Sequence, residues 1–498
     1  MPLLLSERKS IVDSGLIRSG RGFLLCLAAY FVLQVAFRIG LAAPLSFDEA
    51  EQILMSQQLR LGYGTQPPLY YWLQWCLFQM FGVNLFALAA LKNLLLFSLY
   101  VCIYFTAKPL VGAGGAMAAS ASLLLMPQFS WEAQRDLTHT VLSTAIAAAT
   151  LWLYFTLVRR PAMWRHALMG LLVGLGLLSK YNFAVFLAGL ATASLLVAHY
   201  RQVLWNRRML LAAGVALLIF LPHAVWLFDH LGIATAGTLE KMREGGHADY
   251  LSNVASGLSS VLLTTLTISA PQWLVYGFFS LRFRKKRVPG MIHPEARFFA
   301  LLHAAFCVYV TAIVLTGEVS AMRGRWLQPL LFSLPLAWLV LWPVLLQRGV
   351  TRRILQIAQV AGVIILLAFP VRGYLGPMIG KKVRTDPPYS DMSAQLDRLF
   401  PNASVLVVSE QRAAASLYLQ QPARRTLLLD DVLKQRPHLQ GQVIVLMRGA
   451  VADGWMEKLQ DAYPDSRIER QGRLDLPYPC GAGKAACYDY ASIRIGAL

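Results

Sequence analysis

Three carboxylates, Asp48, Glu49 and Glu51, stand in "SFDEAEQ" a few residues behind an apolar run long enough to cross a bilayer. Carboxylates held at a surface can take up and release protons when a substrate is positioned against them. They lead into "LGYGTQPPLYYWLQW", a glycine-containing turn and the pair Pro67–Pro68, followed by an aromatic run. That run is expected to lie along the membrane as a helix, with Tyr70, Tyr71, Trp72 and Trp75 at headgroup level. Lys180, in "GLGLLSKYNF", sits between two apolar runs, where an ammonium is costly unless it snorkels or meets a partner such as a phosphate. Arg323 and Arg325 in "MRGRWLQPLL", backed by Trp326 and Gln328, bring the planar forks that bind phosphate with two hydrogen bonds. Asp136 and His139 in "WEAQRDLTHT" enter an apolar run, where polar groups need an aqueous or bundle-facing setting. The segment 229–257 holds His230, Glu240, Lys241, Arg243, Glu244 and His247 among glycines and reads as a mobile cover. Together these residues offer cations for a phosphate, carboxylates for proton transfer, and aromatics for an isoprenoid tail or a sugar ring.

The elements that must position them are membrane helices. The 498 residues are 56% hydrophobic and only 14% charged, against about 25% charged in soluble domains. Apolar runs at 22–43, 84–107, 110–126, 137–158, 165–180, 182–199, 209–228, 258–281, 297–316, 326–346 and 353–371 predict a polytopic α-helical membrane protein with about eleven spans. The first run is too long for a signal-peptide core and reads as a signal anchor. The net charge of +20 gathers in alternate connections: around Arg18 and Arg21, at Lys108, at Arg159 to Arg165, at Arg201 to Arg208, at Arg282 to Arg287, and at Arg348 to Arg353. Cytoplasmic loops collect lysine and arginine in this way. The pattern predicts a cytoplasmic N-terminus and an odd number of spans, with the carboxylates, Lys180, the two arginines and the tail all outside. No base-stacking aromatics interleave with the basic clusters, so nucleic acid is not expected as a partner.

The composition changes from about residue 385, dividing a membrane module (1–371, with external segment 44–83) from a tail at 385–498. "ASVLVVSE", "RTLLLD", "GQVIVLMR" and "ACYDYASIRIGAL" read as strands, and "RAAASLYLQ" and "GWMEKLQDAY" as helices. Alternation of this kind predicts a small extracytoplasmic α/β domain. It lacks a glycine-rich nucleotide turn and reads as a lid, docking domain or cap. Cys26, Cys76, Cys102 and Cys307 lie in or beside apolar runs. Cys480 and Cys487 lie close together in the tail, where an oxidising compartment would let them form a disulfide.

The order "FDEAEQ…QPPLYYW", "RDLTHTVLSTA", "LLVGLGLLSKYNF", "MRGRWLQPLL" and an α/β tail resembles the bacterial family 39 glycosyltransferases of the GT-C fold. That group is related to the protein O-mannosyltransferases and the lipid A aminoarabinose transferase. The resemblance implies an inverting sugar transfer from a polyprenyl-phosphate sugar to an acceptor at the external face of the inner membrane. The tail would then be periplasmic. The resemblance places the first-loop aspartate on Asp48 as general base, with Glu49 as orienting partner or substitute base, and Lys180 on the donor phosphate. Chemistry and location add Arg323 and Arg325 to the phosphate. Gln66, Tyr70, Tyr71, Asp136, His139, Glu244, His247, Trp326 and Gln328 are the expected substrate contacts. Relatives often carry an acid or histidine just before the paired prolines, whereas Thr65–Gln66 stands here, so neither metal nor cofactor is expected. The expected acceptor is lipid A core or another envelope glycan, and hexose, aminoarabinose and uronic acid all remain open as the sugar. A protein O-mannosyltransferase-like enzyme would need a peptide groove. A lipid-linked sugar transporter would be expected to show internal repeats, and none is seen.

Overall fold

The computed structural model describes residues 19–40, 44–244, 246, 249–283, 293–375, 388–448, 455–477 and 485–496. Among them, seven helices are long and apolar enough to cross a membrane, and Met163–Ser179 and Phe183–Leu196 are shorter apolar helices. Each expected run has a helical counterpart, with two changes of form. Runs 84–107 and 110–126 make one helical stretch, Leu85–Leu125, interrupted at Gly112 (φ 73°, ψ 172°). The chain folds back there, because Ser120 Oγ reaches the Tyr100 carbonyl at 2.8 Å, a contact that a straight helix would forbid. Run 326–346 is broken into Gly324–Leu331 and Leu334–Leu341, followed by a short turn at Pro343–Leu346. Pro329, Pro335 and Pro343 lack the amide that continuous helix bonding requires.

Two helices between the first spans do not cross. Phe47–Met55 begins at Ser46 with a capping box: Ser46 Oγ accepts the Glu49 amide and the Glu49 side chain accepts the Ser46 amide. Leu69–Phe81 follows Pro67–Pro68, whose fixed φ suits a helix start. It turns Tyr70 and Tyr71 inward, 1% and 0% exposed, so these two rings pack against protein and not, as expected, against lipid headgroups. The expected cover is helical: Leu231–Met242 precedes the long helix Tyr250–Arg282.

The tail is a five-stranded sheet of order β2-β1-β3-β5-β4, formed by β1 (Val405–Val408), β2 (Arg425–Leu428), β3 (Gly441–Arg448), β4 (Arg467–Pro477) and β5 (Ala485–Ile495). Strands β1 to β3 run parallel, and β5 joins β3 and β4 antiparallel. The sequence reading missed β4, whose "RIERQGRLDLP" is a charged edge strand with a bulge at Ile468–Arg470. The tail shares its core with the membrane module. Ala50, Ile53 and Leu54 of the acidic helix are buried with Met392, Leu396, Ala414 and Leu417.

Candidate active site

Helical geometry gives the acidic helix three faces. Side chains three and four apart share a face, so Asp48, Glu51 and Met55 point one way and Ala50, Ile53 and Leu54 another. The second face docks on the tail, and the first lines a cavity of about 360 Å³. Glu49 points elsewhere. Both its oxygens are taken by Arg38, Nε at 3.0 Å and Nη2 at 2.9 Å, and it is 4% exposed. Burial alone would raise its carboxyl. The Arg38 and Lys92 charges and the hydrogen bonds from Arg38 and Ser46 outweigh that and hold it down at about 2. This is a structural carboxylate, outside the cavity lining, and it orients the helix rather than offering a base.

Asp48 is fixed by the turn before the helix Thr138–Arg159. Its Oδ2 accepts the amides of Leu137 at 2.9 Å and Thr138 at 3.1 Å, and its own amide donates to Asp136 Oδ1 at 3.0 Å. Leu137 adopts φ 73°, which turns both amides toward the carboxylate. Asp136 is pushed up by burial and by the neighbouring Asp48 charge. Glu51 is half-buried, and Tyr71 Oη donates to its Oε1 at 2.7 Å. Burial and Asp48 push Glu51 up to about 7 against the opposing pull of Tyr71 and Lys241.

Cations also line the cavity. Lys180, in the turn after Met163–Ser179, donates to Thr140 Oγ1 at 2.6 Å and to the Arg325 carbonyl at 3.4 Å. Burial and the Arg325 charge bring it down to about 7. Arg323 pairs with Glu244 in the segment after the cover helix. Arg325 has no carboxylate partner among the described residues, and Lys241 of the cover helix completes the set. These groups come from the connections after the first, third, fifth, seventh and ninth apolar segments, and odd-numbered connections of a serpentine bundle share one end.

The remaining expected contacts divide. Gln66, His139 and Trp326 line the cavity. Tyr71 reaches it through Glu51, whereas Tyr70 is packed 5.4 Å from the His139 ring and sits behind the wall. Asp136 acts through Asp48 and Glu244 through Arg323. Gln328 is fully buried and accepts from Gln128 Nε2 at 3.3 Å, away from the cavity. His247 lies outside the described residues, as does Cys480, and with it the proposed pairing to Cys487. Sequence reasoning left Glu51, Thr140, Asn182 and Lys241 off the list of site residues, although all four belong to segments it had singled out. Among the described residues, no group of three or more histidine, cysteine or carboxylate side chains is placed to hold a metal.

Residues 65–226 match the family model for dolichyl-phosphate-mannose-protein mannosyltransferases. The chain is 35% identical over 480 residues to the lipopolysaccharide core galacturonosyltransferase RgtB of Rhizobium johnstonii, covering 92% of this chain and 94% of the relative. It is 34% identical to RgtA of the same organism, covering 94% and 97%. Among solved structures, ArnT of Cupriavidus metallidurans bound to undecaprenyl phosphate superposes with a TM-score of 0.59 over 95% of this chain and 98% of that one. At 13% identity, that similarity establishes the shared GT-C fold. A multi-pass helical membrane module, a sheet-bearing tail and near full-length identity to RgtA and RgtB place this chain in the glycosyltransferase family of the lipopolysaccharide core galacturonosyltransferases.

Proposed function

We propose that the protein transfers a galacturonosyl residue from a polyprenyl-phosphate donor to a sugar of the lipopolysaccharide core or lipid A, at the periplasmic face of the inner membrane. The observation that carries this reading is the single cavity in which Asp48 and Glu51 meet Lys180, Arg325 and Lys241. In an inverting displacement the acceptor hydroxyl attacks the anomeric carbon as the bond to phosphate breaks. Negative charge then develops on the departing polyprenyl phosphate while a proton leaves the hydroxyl. Preorganised cations favour the first change and a carboxylate the second. Lys180 and Arg325 take the phosphate, with Arg323 held beside them by Glu244. A uronate adds a second anion, and Lys241 supplies a further cation for it. Gln66, His139 and Trp326 contribute polar and aromatic contacts to the sugar. Asp48 is the proton acceptor that the family resemblance assigns.

The names of RgtA and RgtB support the uronic acid and the core acceptor. The undecaprenyl phosphate bound by the structural neighbour supports the lipid carrier. The basic connections support the orientation with the N-terminus in the cytoplasm. The protein O-mannosyltransferase reading rests on a family model that matches residues 65–226 alone, and two near full-length relatives outweigh it.

The test is mass spectrometry of envelope glycolipids from a deletion strain carrying an empty vector, the wild-type gene or Arg325→Ala. Restoration of one uronosyl increment by the wild type, and not by an equally expressed Arg325→Ala, is the expected result. An increment of another mass would replace the sugar. No increment from the wild type would overturn the transferase assignment for this acceptor.

A further inference from the structure

A second cavity, of about 230 Å³, lies between the acidic helix and the tail and takes no part in the site described above. One wall is the end of that helix and the loop after it, with Gln57, Gln58 and Arg60. The other is β2 and the helix Leu429–Gln435 of the tail, with Arg425, Asp431 and Gln435. Met55 lines both this cavity and the one that holds Asp48. Asp48 and Met55 share a helix face and stand roughly 10 Å apart along its axis.

The loop wall is preorganised. Tyr63, itself buried, donates from Oη to the Gln58 carbonyl at 2.6 Å and accepts the Arg60 amide at 2.9 Å. Trp72 Nε1 donates to the Arg60 carbonyl at 2.8 Å. Gln57 Nε2 donates to the Thr426 carbonyl of β2 at 3.0 Å and ties the two walls together. Among the described residues, neither arginine of the cavity meets a carboxylate. Arg60 donates to the side-chain oxygens of Gln58 at 3.0 Å and Gln435 at 3.2 Å, and Arg425 donates to the His438 carbonyl at 3.4 Å. A guanidinium has five N–H donors, so both keep donors to spare. The lining thus carries two guanidinium charges against one carboxylate, Asp431.

Resting on the transferase reading above, we propose that this cavity is a subsite for the acceptor glycan, in which Arg60 and Arg425 bind a carboxylate or phosphate on a sugar neighbouring the one that is modified. The acceptor must set one hydroxyl beside Asp48 and lead its remaining sugars out of the catalytic cavity. A chain that passes over Met55 enters the tail cavity. The donor phosphate belongs with Lys180 and Arg325 in the other cavity, so these two arginines are free for the acceptor. Their planar forks suit carboxylate and phosphate alike. The glutamine amides and Asp431 offer donors and acceptors for sugar hydroxyls. The subsite takes no part in bond making; it selects which acceptor is held and which hydroxyl is presented.

Purified full-length protein in nanodiscs, supplied with undecaprenyl-phosphate galacturonic acid and core lipopolysaccharide, provides the assay. Wild-type turnover is measured first; its absence counts against the transferase reading and not against the subsite. Given turnover, Arg60→Gln and Arg425→Gln should each raise acceptor KM by about tenfold or more, the worth of one charge-assisted hydrogen bond, with kcat and donor KM within twofold of wild type. The wild type is then given acceptor with its phosphates removed by hydrogen fluoride, or with its carboxyls reduced to alcohols. One of the two should show the same rise in KM and so name the anion, and on that acceptor the arginine variants should add no further rise. Acceptor KM within twofold of wild type in both variants would overturn the proposal. So would a wild-type KM unmoved by either treatment, or a full further rise when variant and treated acceptor are combined. The wild-type comparison needs no variant, so it decides alone if both variants misfold.

Discussion

Glu49 and Asp48 are adjacent in the chain and do different work because a helix separates neighbours by a large angle. Glu49 meets the Arg38 guanidinium in a buried, two-pronged pair, so Glu49→Gln, which removes one charge of that pair, should cost about 3–5 kcal/mol. The sign of its pH dependence follows from its position below the ordinary carboxylate value. The stabilisation is complete above about 4.5 and is lost as pH falls toward about 2. Melting curves of wild type and Glu49→Gln in detergent, collected across that window, should converge at the acid end. Lys180 is displaced in the opposite sense for a different reason. Its burial beside Arg325 penalises the charged form, so the ammonium is lost as pH rises past about 7. Affinity for undecaprenyl phosphate should weaken between pH 7 and 9 in the wild type, and Lys180→Gln should bind more weakly and lack that dependence. Isothermal titration at several pH values measures both.

At the scale of elements, the site depends on a few backbone decisions. Gly112 reverses the second span at φ 73° and ψ 172°, a region open to glycine. A β-carbon there would touch nothing within 4 Å, so Gly112→Ala is a test of backbone strain without a clash. A loss of about 1–3 kcal/mol is expected, read as a lower melting temperature in detergent. Leu137, also at positive φ, delivers the two amides that seat Asp48. The helices themselves were legible from apolar runs, and the strands from short β-branched stretches bounded by turn residues. β4 was not legible, because an exposed edge strand can be as polar as a loop. The tyrosines were misplaced for a related reason: an aromatic run names an interface, and the helix rotation that sends Tyr70 and Tyr71 against His139 is set by packing.

For the whole molecule, the tail is structurally continuous with the chemistry. Ile53, on the face of the acidic helix opposite the cavity, is fully buried in the tail's core, and Gln411 of the tail donates to the Phe47 carbonyl and lines the cavity. Ile53→Ala should therefore cost about 2–5 kcal/mol, and part of that loss should appear as lower transfer activity even though no reacting group is altered. Deleting residues 388–498 should abolish transfer while leaving a membrane-inserted protein; equal membrane content with retained activity would refute the dependence.

The sequence by itself determined a multi-span membrane protein with a tail of strands and helices, and it singled out the segments that carry acids and cations. Those properties follow from composition and periodicity, which act locally. Only the tertiary structure decided that Glu49 is a clasp, that Gln328 is buried behind the wall, and that Glu51 and Lys241 share the cavity with Asp48 and Lys180. Which side chains face each other across a cavity depends on helix rotation and on where five connections meet, and no single segment contains that information.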